Sequence, residues 1–330
     1  MLSNPFSSST YVNIWLKHYG NNQKAHEFKF LDGVKFIKGN YSGQYVNIGG
    51  NYTNGLFYEI NEEETDFKGK SFLLYDVPQY LQSDINFNGD LKVIKLKQYK
   101  GFYINVEQYE SIDDVVLKCY SSRKSRYNFR RSLKQLEEKH NISSKMFFGD
   151  IDRNDYDTLL KDFRQMMEIR FEGINTENTL LPMWDFYEEV LFPMINESKV
   201  ALFVIYDSEV PIAISINFAF EDTFVVAMRT FDIEYSRLGI GNIEIYKLVE
   251  WCLENNVKTL DFSKGESDYK KRWCDTDYVF ERHIIYDSNS LKAKTIAKTV
   301  SGLHNFKQYL RDKKVNLLFH HLMGIFSSKK

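Results

Sequence analysis

Two short segments of this chain carry residue types that could do chemistry together. The first is Ser236-Arg237-Leu238-Gly239-Ile240-Gly241, followed by Asn242. It lies between a β-rich run and a helical pattern. Two glycines let the backbone turn tightly and bring successive N–H groups towards a ligand. The helix that follows adds its own unpaired N–H groups and positive dipole end. Residues Arg237, Leu238, Gly239, Ile240, Gly241 and Asn242 therefore read as a cradle for a pyrophosphate. The second segment follows a strand that ends at Asp261 and holds Glu266, Tyr269, Lys270 and Trp273. A tyrosine can protonate a leaving group, and a lysine can stabilise an oxyanion or hold a phosphate. Glu266 is a candidate base or amine-orienting group, and Asp268 reads as a helix N-cap.

Arginines form a third group. On a helix over Ser122–Lys139, the residues Arg123, Arg126, Arg130 and Lys134 make one stripe, with Lys124 and Arg131 at its edge. Guanidinium forks suit phosphates, so Arg130 and Arg131 read as the wall of a cleft for an anionic substrate. Arg170 and Arg229 end a helix and a strand. Each fits either a substrate carboxylate or phosphate, or a buried ion pair.

These residues need elements to hold them. Thr10–His18 reads as a short helix. Residues 33–105 alternate aromatic or β-branched residues with turn signals such as Gly49, Gly50, Asn54, Gly55 and Gly89, the mark of short strands. Ser111–Tyr120, Ser122–Lys139, Asn154–Arg170 and Met183–Asn196 read as helices, with a strand near Lys145–Phe148. Lys199–Tyr206, Val210–Phe220 and Thr223–Thr230 read as strands, with a hairpin turn at Asp207–Glu209. Asn242–Glu254 presents Ile245, Leu248, Val249 and Cys252 on one helical face. Lys258–Phe262 and Tyr278–Tyr286 read as strands, Asp268–Trp273 as a short helix, and Leu291–Arg311 as a longer one. Helices alternating with strands around a hairpin imply a mixed α/β sheet, α+β in class.

Length and composition narrow the class. With 330 residues the prior is two domains. Apolar residues make up 43% and charged residues 27%, as in an ordinary globular protein. The longest apolar run is Val200–Tyr206, far short of the ~18 residues a membrane helix needs. The N-terminus shows no secretory signal pattern. Three widely spaced cysteines, Cys119, Cys252 and Cys274, form neither a disulfide framework nor a zinc pattern, so the expectation is a cytoplasmic protein with no metal. Charge is uneven. Residues 291–330 carry nine Lys/Arg against Asp312, a net +8, while the whole chain sums to −2. Such a tail fits an anionic partner, or packing on an acidic body. Its end, VNLLFHHLMGIF, is too short to span a bilayer and fits either a docked terminal helix or a peripheral membrane contact. Neighbouring His320 and His321 would not face each other on a helix.

Residues 199–273 resemble the GNAT superfamily of acyl-CoA transferases, in the branch that includes CelD-type acetyltransferases of polysaccharide synthesis. The resemblance rests on ALFVIYDSEVPIAISINFAF, AMRTFDIEYSRLGIG and TLDFSKGESDYKKRW, and above all on Asp261, Phe262, Gly265, Tyr269, Lys270 and Trp273. It reaches upstream to SRYNFRRSLKQLEEKHN and Arg170. It implies a GNAT-like mixed sheet, an acetyl-CoA or other acyl-CoA donor, and an amine acceptor in cell-surface polysaccharide or amino-sugar metabolism. It implies that a backbone N–H in Val225–Phe231 polarises the thioester carbonyl, with Tyr269 as acid, Lys270 and Glu266 assisting, and Arg130, Arg131, Arg170, Arg229, Asp261 and Trp273 around the substrate. Ser236 departs from the pattern, which usually opens the glycine loop with Gln or Arg.

The expected layout is a β-rich N-terminal domain over 1–120, a degenerate copy of the same fold, then the GNAT domain over 121–290 and a basic helical tail over 291–330. Two other readings stand beside it. One is an aminoacyl-tRNA-dependent peptidyltransferase of the related Fem type, acting on peptidoglycan precursors, which would add tRNA as a partner. The other is a non-catalytic binding module. Neither implies DNA binding, and an anionic or lipid-linked substrate fits all three.

Overall fold

The computed structural model describes residues 4–82, 89–172 and 180–313. The helices are α1 (Ser9–Tyr19), α2 (Ile112–Cys119), α3 (Arg123–Lys139), α4 (Arg153–Glu172), α5 (Trp184–Asn196), α6 (Ile240–Glu254), α7 (Asp268–Trp273) and α8 (Leu291–Asp312). The strands are β1 (His26–Phe28), β2 (Leu31–Lys38), β3 (Gln44–Asn47), β4 (Glu59–Ile60), β5 (Ser71–Pro78) and β6 (Leu91–Asn105), then β7 (Ile142–Phe147), β8 (Val200–Asp207), β9 (Val210–Phe220), β10 (Thr223–Phe231), β11 (Thr259–Lys264) and β12 (Thr276–Asp287).

The local chemistry that sets these bounds is plain at several helices. Ser111 and Asp114 form a reciprocal capping box at the start of α2. The Ser122 side chain accepts from the Ser125 N–H at the start of α3. α6 begins two residues before the sequence expectation, at Ile240, so most of the glycine segment is its cap and first turn.

By internal contacts the chain divides into two units, 1–22 with 100–278, and 23–99 with 279–330. These cuts differ from the expected boundaries at 120 and 290. The reason is packing: Ala297 and Val300 of α8 bury against Leu73 and Ile284, so residues 291–313 belong to the core of the second unit. The apolar end of the tail lies outside the described residues.

In the first unit the strand order is β6-β11-β10-β9-β8-β7. β7 to β10 form an antiparallel meander, β10 and β11 run parallel, and β11 pairs antiparallel with β6. Ala201, Phe203 and Ile205 of β8 join a cluster with α2, α3 and α6. The intervening Val200, Leu202 and Val204 are buried as well, so both faces are covered, with α4 and α5 packed against β8 to β10. This is a mixed sheet flanked by helices, as expected from the sequence.

In the second unit the order is β1-β2-β3-β5-β12-β6, with β4 on β2. β3 and β5 are parallel. Phe28 meets Phe36, Tyr45 and Phe72 edge-on in its core, Phe30 meets Phe72 tilted, and Tyr45 stacks on Phe72. A buried chain runs from the Tyr58 hydroxyl to His283 Nδ1 (2.8 Å) and from His283 Nε2 to Glu281 (3.0 Å). Burial holds His283 below its ordinary pKa, so the ring is neutral and serves both neighbours.

Candidate active site

The site is built where β10 and β11 part. They pair in parallel only from Thr223↔Thr259 to Val225↔Asp261. β10 then runs on to Phe231, and its register against β9 shifts between Val226 and Met228. A bulge of this kind bends a strand and re-aims its groups. The β11-facing edge of β10 beyond Val225 is therefore left open to another hydrogen-bond partner.

At that end of β10 a 3-10 turn over Ile233–Leu238 leads into α6. Gly239 caps the helix with φ of +74°, a left-handed conformation that disfavours any side chain with a Cβ. Gly241 is closely approached: a Cβ there would lie 2.8 Å from the Phe231 ring. The Ser236 hydroxyl bonds back to the Ile233 carbonyl, which turns it away from ligand binding. Arg237 is exposed, while the Ile240 side chain is fully buried. The cradle's resources are thus backbone N–H groups and the dipole end, with Asn242 beside them.

In front of this helix end lies a hollow of about 530 Å³. It is lined by Ser122, Ser125 and Asn128 of α3, by Gly239 and Asn242, and by Arg272 of α7. This corrects the reading of α3. Arg130 is exposed and pairs with Asp113 at 2.9 Å, Arg131 is also exposed, and neither lines the hollow. The face turned to the hollow carries three serines around one phenylalanine, Ser122, Ser125, Phe129 and Ser132. Its i, i+3, i+7, i+10 spacing was present in the sequence but masked by the more conspicuous arginines. Arg126 serves the backbone instead. Its guanidinium donates to the carbonyls of Tyr120 and Ser121 at 2.8 and 2.7 Å, fastening the α2–α3 connection.

The residues after β11 separate into surface and interior. Glu266 is exposed and paired with Lys271 at 2.9 Å, and that bond holds its carboxyl below the usual range. It is a weak base at neutral pH. Lys270 is only 6% exposed and donates from Nζ to the carbonyls of Lys264 (2.6 Å) and Ser263 (3.3 Å). Burial lowers its pKa to about 8, against the pull of Asp261. The lysine thereby braces a turn in which Ser263 and Gly265 both have positive φ. Asp261 is fully buried and satisfied by the Ser263 N–H (2.6 Å) and the Tyr278 hydroxyl (2.5 Å). Trp273 is also buried, and its indole N–H donates to Asn242 at 3.0 Å. Asp261 and Trp273 therefore support the site from within; neither is presented to a substrate.

Arg229, Arg170 and Tyr269 do come together. Arg229 forks onto the Glu244 carboxylate and donates to the Gly241 carbonyl at 2.5 Å. Its guanidinium lies 4.9 Å over the Tyr269 ring, linking β10 to α7. Arg170 reaches the Arg229 carbonyl at 3.4 Å and stacks on Phe231 at 4.4 Å. Burial, then the neighbouring Arg229, lowers the Arg170 pKa. Burial raises that of Tyr269, which keeps its proton at neutral pH. Glu244 was not anticipated. Its one signal was an acid in the otherwise apolar inward stripe of α6.

Residues 123–271 match the family model described as the acetyltransferase (GNAT) domain. Over this segment the chain is similar to acetyltransferase domains. The segment spans α3 to α7, the whole of the parted-strand arrangement. The structure is similar to that of FemX, at 10% identity, covering 90% of this chain and 95% of that one, with a TM-score of 0.54. It is similar to a conserved protein of unknown function from Bacteroides thetaiotaomicron (12% identity, 86% and 90% covered, TM-score 0.51). It is also similar to L-PGS from Bacillus licheniformis (14% identity, 91% and 98% covered, TM-score 0.50). At these identities the likeness is one of fold. No curated protein matches the chain.

For acyl transfer the GNAT domain has the needed parts. An open strand edge offers N–H groups to a developing oxyanion, and a protonated tyrosine stands beside a guanidinium. The α6 cap, with Asn242, the α3 serines and Arg272 around it, fits the phosphates of a donor such as acyl-CoA. Among the described residues no group of three or more His, Cys, Asp or Glu could hold a metal ion, and no helix is long and apolar enough to cross a membrane.

Proposed function

We propose that the GNAT domain moves an acyl group from an acyl-CoA thioester to an amine. The observation that carries this reading is the parting of β10 and β11 beyond Val225↔Asp261, at the end of β10 that leads to the glycine-capped start of α6. A thioester carbonyl laid along the open edge of β10 would meet fixed N–H donors, which stabilise the oxyanion without reorganising. The donor's phosphates would lie at the α6 N-terminus and its hollow. Tyr269 would return a proton to the leaving thiolate. Lys270 and Trp273 act as positioning residues, one for the β11 turn and one for Asn242. The acceptor class implied by the resemblance to CelD-type proteins is an amino sugar or a cell-surface polysaccharide precursor.

A second reading, aminoacyl transfer from a charged tRNA as in Fem-type enzymes, draws on one specific feature. Arg170 and Arg229 set two guanidinium groups close together beside Phe231 and Tyr269; with Arg229 held by Glu244, Arg170 is the one that would suit a phosphate of an acceptor stem. Calorimetric titration of acetyl-CoA, desulfo-CoA and an aminoacyl-tRNA separates the two. The acyl-CoA reading expects micromolar CoA binding that Gly241→Val weakens at least tenfold. Silence towards CoA compounds at millimolar concentration, with salt-sensitive tRNA binding, would replace it by the Fem-type reading.

A further inference from the structure

The second unit carries a cationic hollow that the proposed acyl transfer does not use. It measures about 260 Å³ and is lined by Tyr75 of β5, Tyr99 of β6, Arg282 of β12, and His304, Lys307 and Arg311 of α8. The α8 residues share one face because they recur at three- and four-residue spacing. Arg282 is half-buried, and its Nε is shut off from solvent with no hydrogen-bond partner among the described residues. Its guanidinium instead lies 4.5 Å over the Tyr75 ring. Arg311 lies 4.2 Å over Tyr99 and is steered by the Gln98 carbonyl and the Gln308 amide oxygen. Two acids lie nearby: Asp76, which is fully buried and engaged with Thr53 and Gln98, and Asp312, which accepts from the Gln308 amide at 2.8 Å on the exposed side of α8.

Arg282, Lys307 and Arg311 against Asp76 and Asp312 leave this hollow with net positive charge. A half-buried guanidinium whose Nε is dry and meets no acceptor among the described residues is costly unless an anion completes it. Two guanidinium groups backed by aromatic rings present fixed forks, the arrangement that recognises tetrahedral oxyanions. We propose that this hollow is a binding site for a phosphate-bearing ligand, a phosphomonoester or diphosphate, held by Arg282, Arg311 and Lys307. It also gives a role to part of the basic excess that the sequence concentrates after residue 290.

Calorimetric titration of inorganic pyrophosphate into the full chain tests the proposal, with saturating acetyl-CoA present to occupy the donor site. The expected result is binding that Arg311→Gln weakens at least tenfold, that Lys307→Gln weakens less, and that rising salt weakens further. Arg282→Gln should behave like Arg311→Gln. If it fails to fold, the two α8 variants carry the test, since their side chains lie at the helix surface. A parallel arm uses phosphatidylglycerol and phosphatidylcholine vesicles. Selective binding to the former that pyrophosphate displaces and Arg311→Gln abolishes would identify the phosphate as a lipid headgroup. Absence of pyrophosphate and vesicle binding, or pyrophosphate binding unchanged in all the variants, would overturn the proposal. Failure of the acyl-CoA reading would leave it untouched.

Discussion

Each unit holds a parallel strand pair, β10 with β11 in the first and β3 with β5 in the second, and the two are connected differently. In the first unit β10 joins β11 through α6, a helix of 15 residues. In the second, β3 joins β5 through the turn Gly50–Tyr52 and the two-residue β4, with no α-helix between them. Parallel strands require a crossover, but only a helical crossover brings a helix N-terminus and its dipole to the end of the first strand. Both connections contain glycines in the left-handed region, Gly239 at +74° after the 3-10 turn and Gly49 and Gly50 at +84° and +53°. Only Gly239 is followed by an α-helix; Gly49 caps a single 3-10 turn. The first unit therefore presents backbone N–H groups at a helix N-terminus, whereas the hollow of the second presents side chains, Arg282, Lys307 and Arg311 among them.

The comparison breaks first at Arg229. Its partner Glu244 has a side chain only 2% exposed. Arg229→Met should cost about 3–5 kcal/mol in chemical denaturation, because a buried carboxylate is left unpaired. Arg229→Met with Glu244→Leu should recover most of that. A single variant as stable as the wild type would show that this pair does not anchor the site.

Lys270 offers a pH-resolved test. Folded, it gives up its proton at about 8; unfolded, at 10.5. Between those values the unfolded chain holds the extra proton, so the lysine's contribution to stability rises with pH and is least favourable below 8. From pH 8 to 10.5 the wild type should gain about 3 kcal/mol on Lys270→Met, at about 1.4 kcal/mol per unit. An unchanged gap would mean that the lysine is not desolvated.

Tyr269→Phe keeps the ring against Arg229 and Phe262 but removes the proton. The expected loss is about 100-fold in kcat with little change in the donor KM, read from steady-state kinetics. A loss confined to KM would make Tyr269 a binding residue. The smallest effect sharpens the contrast between the connections. Gly239→Ala and Gly50→Ala should each cost about 1–2 kcal/mol, since both force a Cβ into the left-handed region. Only Gly239→Ala should raise the donor KM. Equal kinetic effects would mean that the α6 cap is not specific to donor binding.

Much of the frame was legible in the residues. The caps Ser111 and Ser122, the alternation of β8 to β10 and the apolar stripe of α6 all follow from neighbours within a few positions. The residues of the glycine segment were legible for the same reason, although the start of α6 lay two residues earlier than read. What each polar side chain does was not legible, because its partner lies far along the chain. Asp261 is closed by Tyr278, Trp273 by Asn242 and Arg229 by Glu244, pairs 17, 31 and 15 residues apart. Arginines on a helix look alike in sequence whether they face a hollow or water, and α3 turned its serines inward instead.

The sequence alone determined the helices and strands, the glycine cap and the concentration of basic residues after 290, since these depend on local periodicity and composition. Tertiary structure decided which of those groups are dry. Lys270 became a brace, Glu266 a surface ion pair, and Arg282 a guanidinium whose Nε is dry and has no partner among the described residues. Each outcome depends on burial and on partners brought from distant positions, and neither quantity is written in any short stretch of residues.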